Sequence, residues 1–157
     1  MIIFGKPLSE YVAFCRIFLI LVPLTGIVRL ALSLGGTPDS TARWITMTGM
    51  MWIAVIYYAV RVHTTRFGTY RHLLVLYVLL NLTTQLVSIL GIVISMVNGR
   101  PNIFTVPEHS FGTGNGPHIA AHLFIGTTAG SLVPWAIGSL ILAISRKLSP
   151  VPSRAEV

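Results

Sequence analysis

Apolar residues gather along the chain into four long blocks, separated by shorter runs of polar, glycine and proline residues. A helix rises about 1.5 Å per residue and the hydrocarbon core of a bilayer is about 30 Å thick, so a spanning segment needs roughly 20 mostly apolar residues. Positions 11–34, 44–62, 73–97 and 118–145 meet that requirement. The pattern predicts an all-α, polytopic integral membrane protein: a four-transmembrane-helix bundle forming one domain, 1–157, with short loops. Gly35, Gly36 and Pro38 interrupt the first boundary, where Ser40 or Thr41 is placed to cap the second helix. Gly68 and three arginines mark the second boundary. The third, 98–117, is rich in Gly and Pro and is expected to lie outside the membrane, with Pro117 in the first turn of the last helix.

Composition sharpens this picture. With 54% apolar and only 10% charged residues, the chain is neither disordered nor an ordinary soluble domain. Its single cysteine, Cys15, excludes an internal disulfide. The formal net charge of +7 suggests nucleic acid at first sight, but its distribution gives it another meaning. Lys6, Arg16, Arg61, Arg66, Arg71, Arg146, Lys147 and Arg154 fall on one side of the expected bundle; Arg29, Arg43 and Arg100 fall on the other. Positively charged flanks are retained in the cytoplasm. The asymmetry therefore predicts cytoplasmic N and C termini, lipid headgroups as partners of the basic face, and no nucleic acid. Short loops and strong bias suit a bacterial inner membrane.

Polar residues inside spans are where specific packing or function is sought, since an unpaired polar group in hydrocarbon is expensive. Beyond Glu10 at the start of the first span, the four spans hold no Asp or Glu, which argues against a carboxylate proton relay or a glutamate-ligated di-iron site. Arg29 is the basic residue deepest in a span. It either snorkels and pairs with a loop acid, Asp39 or Glu108, or faces a ligand. In the third span Tyr77, Asn81, Thr84, Gln85 and Ser88 share one face. They serve either as interhelical hydrogen bonds or, with Arg29, as the wall of a polar cavity for a small molecule or quinone-like head.

The last span carries a row of small residues, Gly126, Gly130 and Gly138. The 126–130 pair matches the small-xxx-small pattern for close helix approach, inside the bundle or between protomers. His118 and His122 stand one turn apart on the same helix. With His109 and Glu108 in the preceding loop they form a candidate metal set for zinc or, second, copper. Haem or a pigment magnesium is a more distant option, because two histidines on one face cannot clamp a haem from both sides. The residues between the pair, Ile119, Ala120 and Ala121, supply no general base. The chain also lacks a G-x-S-x-G motif, a P-loop and a CxxC pair, so catalysis has no residue-level support.

Three functions follow in order. The first is a non-enzymatic accessory or assembly subunit, a homo-oligomer or part of a larger membrane complex, packing through the small-residue and polar faces. The second is a metal- or cofactor-binding protein using the histidines. The third is a small-molecule carrier or enzyme using the cavity of Arg29, Asn81, Gln85 and Ser88.

Overall fold

A computed structural model describes residues 1–106 and 114–149. The chain opens with a two-residue antiparallel pair, β1 (Ile2–Ile3) and β2 (Lys6–Pro7), a small addition to the expected all-α architecture. Phe4 and Gly5 join the strands, both with positive φ (48° and 85°), as the tightest hairpin turns require. Tyr11 fastens this hairpin to the first helix by donating its hydroxyl to the Ile3 carbonyl at 2.9 Å.

The helices then follow in order: α1 (Leu8–Leu34), α2 (Asp39–Ala42), α3 (Met47–Thr64), α4 (Tyr70–Asn98), α5 (Asn115–Ala121) and α6 (Thr127–Leu148). Between α5 and α6 lies one π-turn, His122–Gly126, so 115–148 runs on as one long helix. Four segments, Leu8–Leu34, Asp39–Thr64, Tyr70–Asn98 and Asn115–Leu148, are long and apolar enough to cross a membrane. Around the ring, α1 touches α3 and α4, and α6 touches α3 and α4. Large apolar side chains such as Ile20, Ile56, Leu86 and Leu140 are exposed on the outside, where a soluble bundle would carry charge.

The second helix begins later than its apolar pattern suggests. Ser40 and Thr41 sit within the short α2, whose cap position is Pro38. The side chain that caps α3 is Thr46, which accepts from the Gly49 amide at 2.8 Å. Trp44 lies in the break between the two, largely exposed. At the other turn Thr69 and His72 form a reciprocal capping box that starts α4, a role for which histidine is an unusual but competent acceptor.

Burial is segregated along the bundle. At the end that carries both termini the core is apolar and aromatic, with Tyr11, Cys15 and Phe18 from α1, Tyr58 and Val62 from α3, and Leu73, Leu76 and Tyr77 from α4. Three hydrogen bonds tie that end together: Trp135 Nε1 to the Tyr70 carbonyl at 2.8 Å, Arg146 Nη2 to the Gly68 carbonyl at 3.1 Å, and His63 Nε2 with the Ser149 carbonyl at 2.7 Å. Lys6 pairs with Glu10 beside it. The other half of the bundle buries Asn81, Gln85, Ser88, Ser95, Asn102, His118 and Ser131.

Residues 99–106, the first part of the stretch 98–117 expected outside the membrane, are folded against the bundle. This stretch folds back over the end of α4. Asn102 is 2% exposed and donates Nδ2 to the Gly91 carbonyl at 2.7 Å, while the Ile103 amide donates to Ser33 Oγ of α1 at 2.9 Å. Gly91 permits this approach, because a Cβ there would run into the Phe104 ring. A roof is thus laid across the polar end of the bundle.

Candidate functional site

The polar half is organised by the π-turn. A π-turn is one residue wider than an α-turn, which shifts carbonyls away from their regular helical donors and recurs at functional sites. Asn81 of α4 meets the carbonyls so presented. Its Nδ2 lies 3.0 Å from each of Gly126 O, Thr127 O and Ser131 Oγ. Carbonyl oxygens accept only, so the amide nitrogen must face them and Oδ1 must face the other way. There Gln85 Nε2 donates to it at 2.9 Å. This turns Gln85 Oε1 toward His122, whose Nδ1 lies 2.6 Å away. The chain of bonds runs from the last helix to α4 and back.

Glycine makes room for this chain. A Cβ on Gly126 would stand 2.6 Å from Gln85 Oε1, one on Gly130 would stand 2.7 Å from Asn81 Oδ1, and one on Gly138 would collide with the Tyr77 hydroxyl. That hydroxyl donates to the Val55 carbonyl at 2.7 Å. The row of small residues therefore receives the polar face of α4 of the same chain, side chain against backbone. Of the two placements open to it, inside the bundle or between protomers, these three glycines take the first.

Next to the network is a cavity of about 310 Å³. Arg29 of α1, Thr46 and Thr48 at the start of α3, Thr84, Gln85 and Ser88 of α4, and His118 and His122 line it, with Ile103 and Phe104 from the roof. Two groups of residues that the sequence treats separately, the histidines and the polar set on Arg29, Gln85 and Ser88, thus face one chamber. Asn81 stands behind Gln85 and orients it. His118, expected near the surface, is 6% exposed, and its ring centroid lies 4.8 Å from that of His122.

Arg29 donates Nη2 to Asp39 Oδ1 at 2.8 Å, one of its two expected partners. Its Nε is buried without a hydrogen-bond partner among the described residues. The guanidinium stands between the chamber and a recess of about 170 Å³ lined by Ser33, Thr37 and Asp39. A third cavity, about 240 Å³, shares Thr48, Thr84 and Gln85 with the chamber and continues between α3 and α6 along Met51, Trp52, Val133 and Pro134.

The other two members of the metal set, Glu108 and His109, lie outside the described residues. Among the described residues no three His, Cys, Asp or Glu side chains come together, so His118 and His122 offer two ligands to an ion there. Thr46, Thr48, Asn102, Ile103 and Phe104 belong to the site without having been singled out by the sequence. For the roof a signal exists: Asn102 Oδ1 accepts from the Phe104 amide at 2.9 Å and Thr105 Oγ1 accepts from the Asn102 amide at 2.9 Å. An Asn-x-x-Thr run is a local turn-forming pattern.

No protein-family model, no curated protein and no solved structure matches the chain.

Proposed function

We propose that this chain is an integral membrane protein of the bacterial inner-membrane type, with both termini in the cytoplasm, which binds a small molecule in the chamber at the opposite end. The observation that carries this reading is the convergence of Arg29, Gln85, Ser88, His118 and His122 on one cavity of about 310 Å³. A volume share of roughly 30 Å³ per water makes the chamber equivalent to about ten waters, larger than a lone ion requires. Concave sites with a few converging polar groups and partly apolar walls are the usual form of small-molecule sites. Among the described residues the lining also includes a guanidinium and several hydroxyls and no carboxylate, so it favours a ligand with oxygen acceptors.

Orientation follows from charge. Lys6, Arg61, Arg66, Arg71, Arg146 and Lys147 sit at one end, against Arg29, Arg43 and Arg100 at the other, an asymmetry that supports a chamber toward the extracytoplasmic leaflet. Lipids are the partners of the apolar exterior. The glycine row and the polar face of α4 engage each other within one chain, which leaves the accessory-subunit reading resting on the lack of catalytic motifs.

The test is to excise the protein with its native lipids in polymer nanodiscs, extract the sample and identify small molecules by mass spectrometry, measuring zinc and copper on the same material. Ser88→Leu and Thr84→Leu, which add bulk to the chamber wall, serve as blocked comparisons. An organic molecule in stoichiometric amount in the wild type and depleted in both folded variants is the expected result. No molecule enriched over the blocked variants refutes the reading. Stoichiometric metal lost in His118→Ala and His122→Ala replaces the organic occupant by an ion.

A further inference from the structure

The direction of the hydrogen-bond chain fixes the proton on His122. Because Asn81 Nδ2 must point at carbonyls, Asn81 Oδ1 must accept from Gln85 Nε2, and Gln85 is left presenting Oε1. His122 Nδ1, 2.6 Å from that oxygen, therefore carries the hydrogen. In the neutral ring the other nitrogen, Nε2, then holds a lone pair and accepts. The chamber, which also holds the Arg29 guanidinium, thus contains an imidazole acceptor fixed in place by Gln85 and Asn81.

A complementary ligand has a hydroxyl for Nε2 and further oxygen for the donors. It is neutral, because Asp39 already balances Arg29 and the described residues that line the chamber add no other formal charge when the histidines are neutral. Phe104 and Met47 give the chamber apolar walls against which a flat ring packs. The cavity between α3 and α6 shares Thr48, Thr84 and Gln85 with the chamber and is otherwise mostly apolar, with Trp52 and Pro134 on its walls. Head chamber and tail groove adjoin at those three residues, which line both.

We propose that the occupant is a chain-bearing hydroquinone: its ring sits in the chamber, one hydroxyl donates to His122 Nε2, the second oxygen faces the Arg29 side, and the chain leaves along the α3–α6 groove past Trp52. The proposal rests on the small-molecule reading above and adds the class of ligand and its pose. A ring with oxygens at opposite ends satisfies acceptor and donors at once, which a fatty acid, with its single charged head, does not. Binding alone is inferred, with no change in the oxidation state of the ring.

The experiment uses the full chain in phosphatidylcholine nanodiscs and reads the tryptophan fluorescence that differs between wild type and Trp52→Phe. The probe is a decylhydroquinone with a bromine at the end of its chain, since bromine quenches an indole in contact with it. Its dimethyl ether, equal in chain and ring but unable to donate, is the matched control for partitioning into lipid. Saturable quenching by the hydroquinone is expected, with the ether binding about tenfold more weakly, the factor that 1.4 kcal/mol represents. In His122→Asn, which keeps a donor toward Gln85 and removes the Nε2 acceptor, the two compounds should bind alike.

Equal binding of both compounds to the wild type overturns the hydroxyl contact, and this comparison stands even where His122→Asn fails to fold. Tighter binding of a brominated decanoate or monodecanoylglycerol overturns the hydroquinone in favour of an anionic or acylglycerol head. Absence of saturable quenching by all four overturns the groove and its occupant together. The chamber reading is judged separately by the extraction experiment, which depends on none of these probes.

Discussion

Asn81 holds the last two spans together, and replacing it by Leu tests that directly. Leucine shares the branched shape and is larger, so the change removes hydrogen bonds without opening a cavity. The two hydrogens of Nδ2, shared among Gly126 O, Thr127 O and Ser131 Oγ, are lost together with the acceptor for Gln85. Interhelical hydrogen bonds in membrane bundles average about 0.6 kcal/mol and reach about 1.7. The expected loss is about 2 kcal/mol, or about 30-fold in the unfolding equilibrium at 1.4 kcal/mol per factor of ten. Asn81→Asp should be worse, because an oxygen then faces the Gly126 and Thr127 carbonyls, which can only accept. Unfolding in mixed micelles with increasing SDS, followed by far-ultraviolet circular dichroism, measures both. Since Asn81 and Gln85 act in one chain of bonds, the double variant Asn81→Leu/Gln85→Leu should lose less than the two single losses combined. A loss below about 0.5 kcal/mol for Asn81→Leu, or strict additivity in the double variant, refutes the directional network.

Other outcomes follow from single contacts. Gly138→Ala sets a methyl group against the Tyr77 hydroxyl and should destabilise by about 1–3 kcal/mol, whereas Gly116→Ala, which meets nothing within 4 Å, should be close to neutral in the same titration. Arg29→Gln removes the pair with Asp39, whose side chain is 55% exposed. Its effect on stability should be below about 1 kcal/mol and shrink further as salt is raised; a large, salt-independent loss would contradict that pairing. For topology, cysteines placed at Gly5 and Ser149 in a Cys15→Ala background should react with an impermeant maleimide only in inside-out vesicles, and cysteines at Gly36 and Gly99 only in intact cells. Labelling of all four from one side would refute the antiparallel arrangement.

The four spans were legible because length and hydropathy alone determine whether a segment can cross a bilayer, and the exposed Ile20, Ile56 and Leu140 carry that signal. Arg29 with Asp39 was legible too, being an i-to-loop pair of opposite charges near one surface. The break at 43–46 was not. Trp44 reads as part of an apolar run, and only the cap formed by Thr46 shows where α3 starts. The roof escaped because Asn102 and Thr105 are polar, and polarity in a Gly- and Pro-rich stretch signals solvent unless the turn they form is recognised. Most of all, the joining of the histidines to Arg29 and Gln85 required knowing which faces of distant helices meet. Spacing places His118 and His122 on a helix but does not say where that helix points; the packing of Gly126 and Gly130 on α4 does.

The turn at His122–Gly126 also makes the last helix sensitive to length rather than to composition. One residue of α-helix corresponds to about 100° of rotation, and a π-turn absorbs one surplus residue without that rotation, so the segments before and after it keep the phase of an unbroken helix one residue shorter. Deleting Leu123 would restore that unbroken α-helix while leaving every other side chain in the chain unchanged. Both halves would keep their faces toward the bundle, His118 included, and the loss would fall on the widened turn whose Gly126 and Thr127 carbonyls meet Asn81. An added residue beside the turn, which nothing absorbs, would instead rotate one half against the other, although many substitutions along this exposed stretch of Leu123, Phe124 and Ile125 should be tolerated.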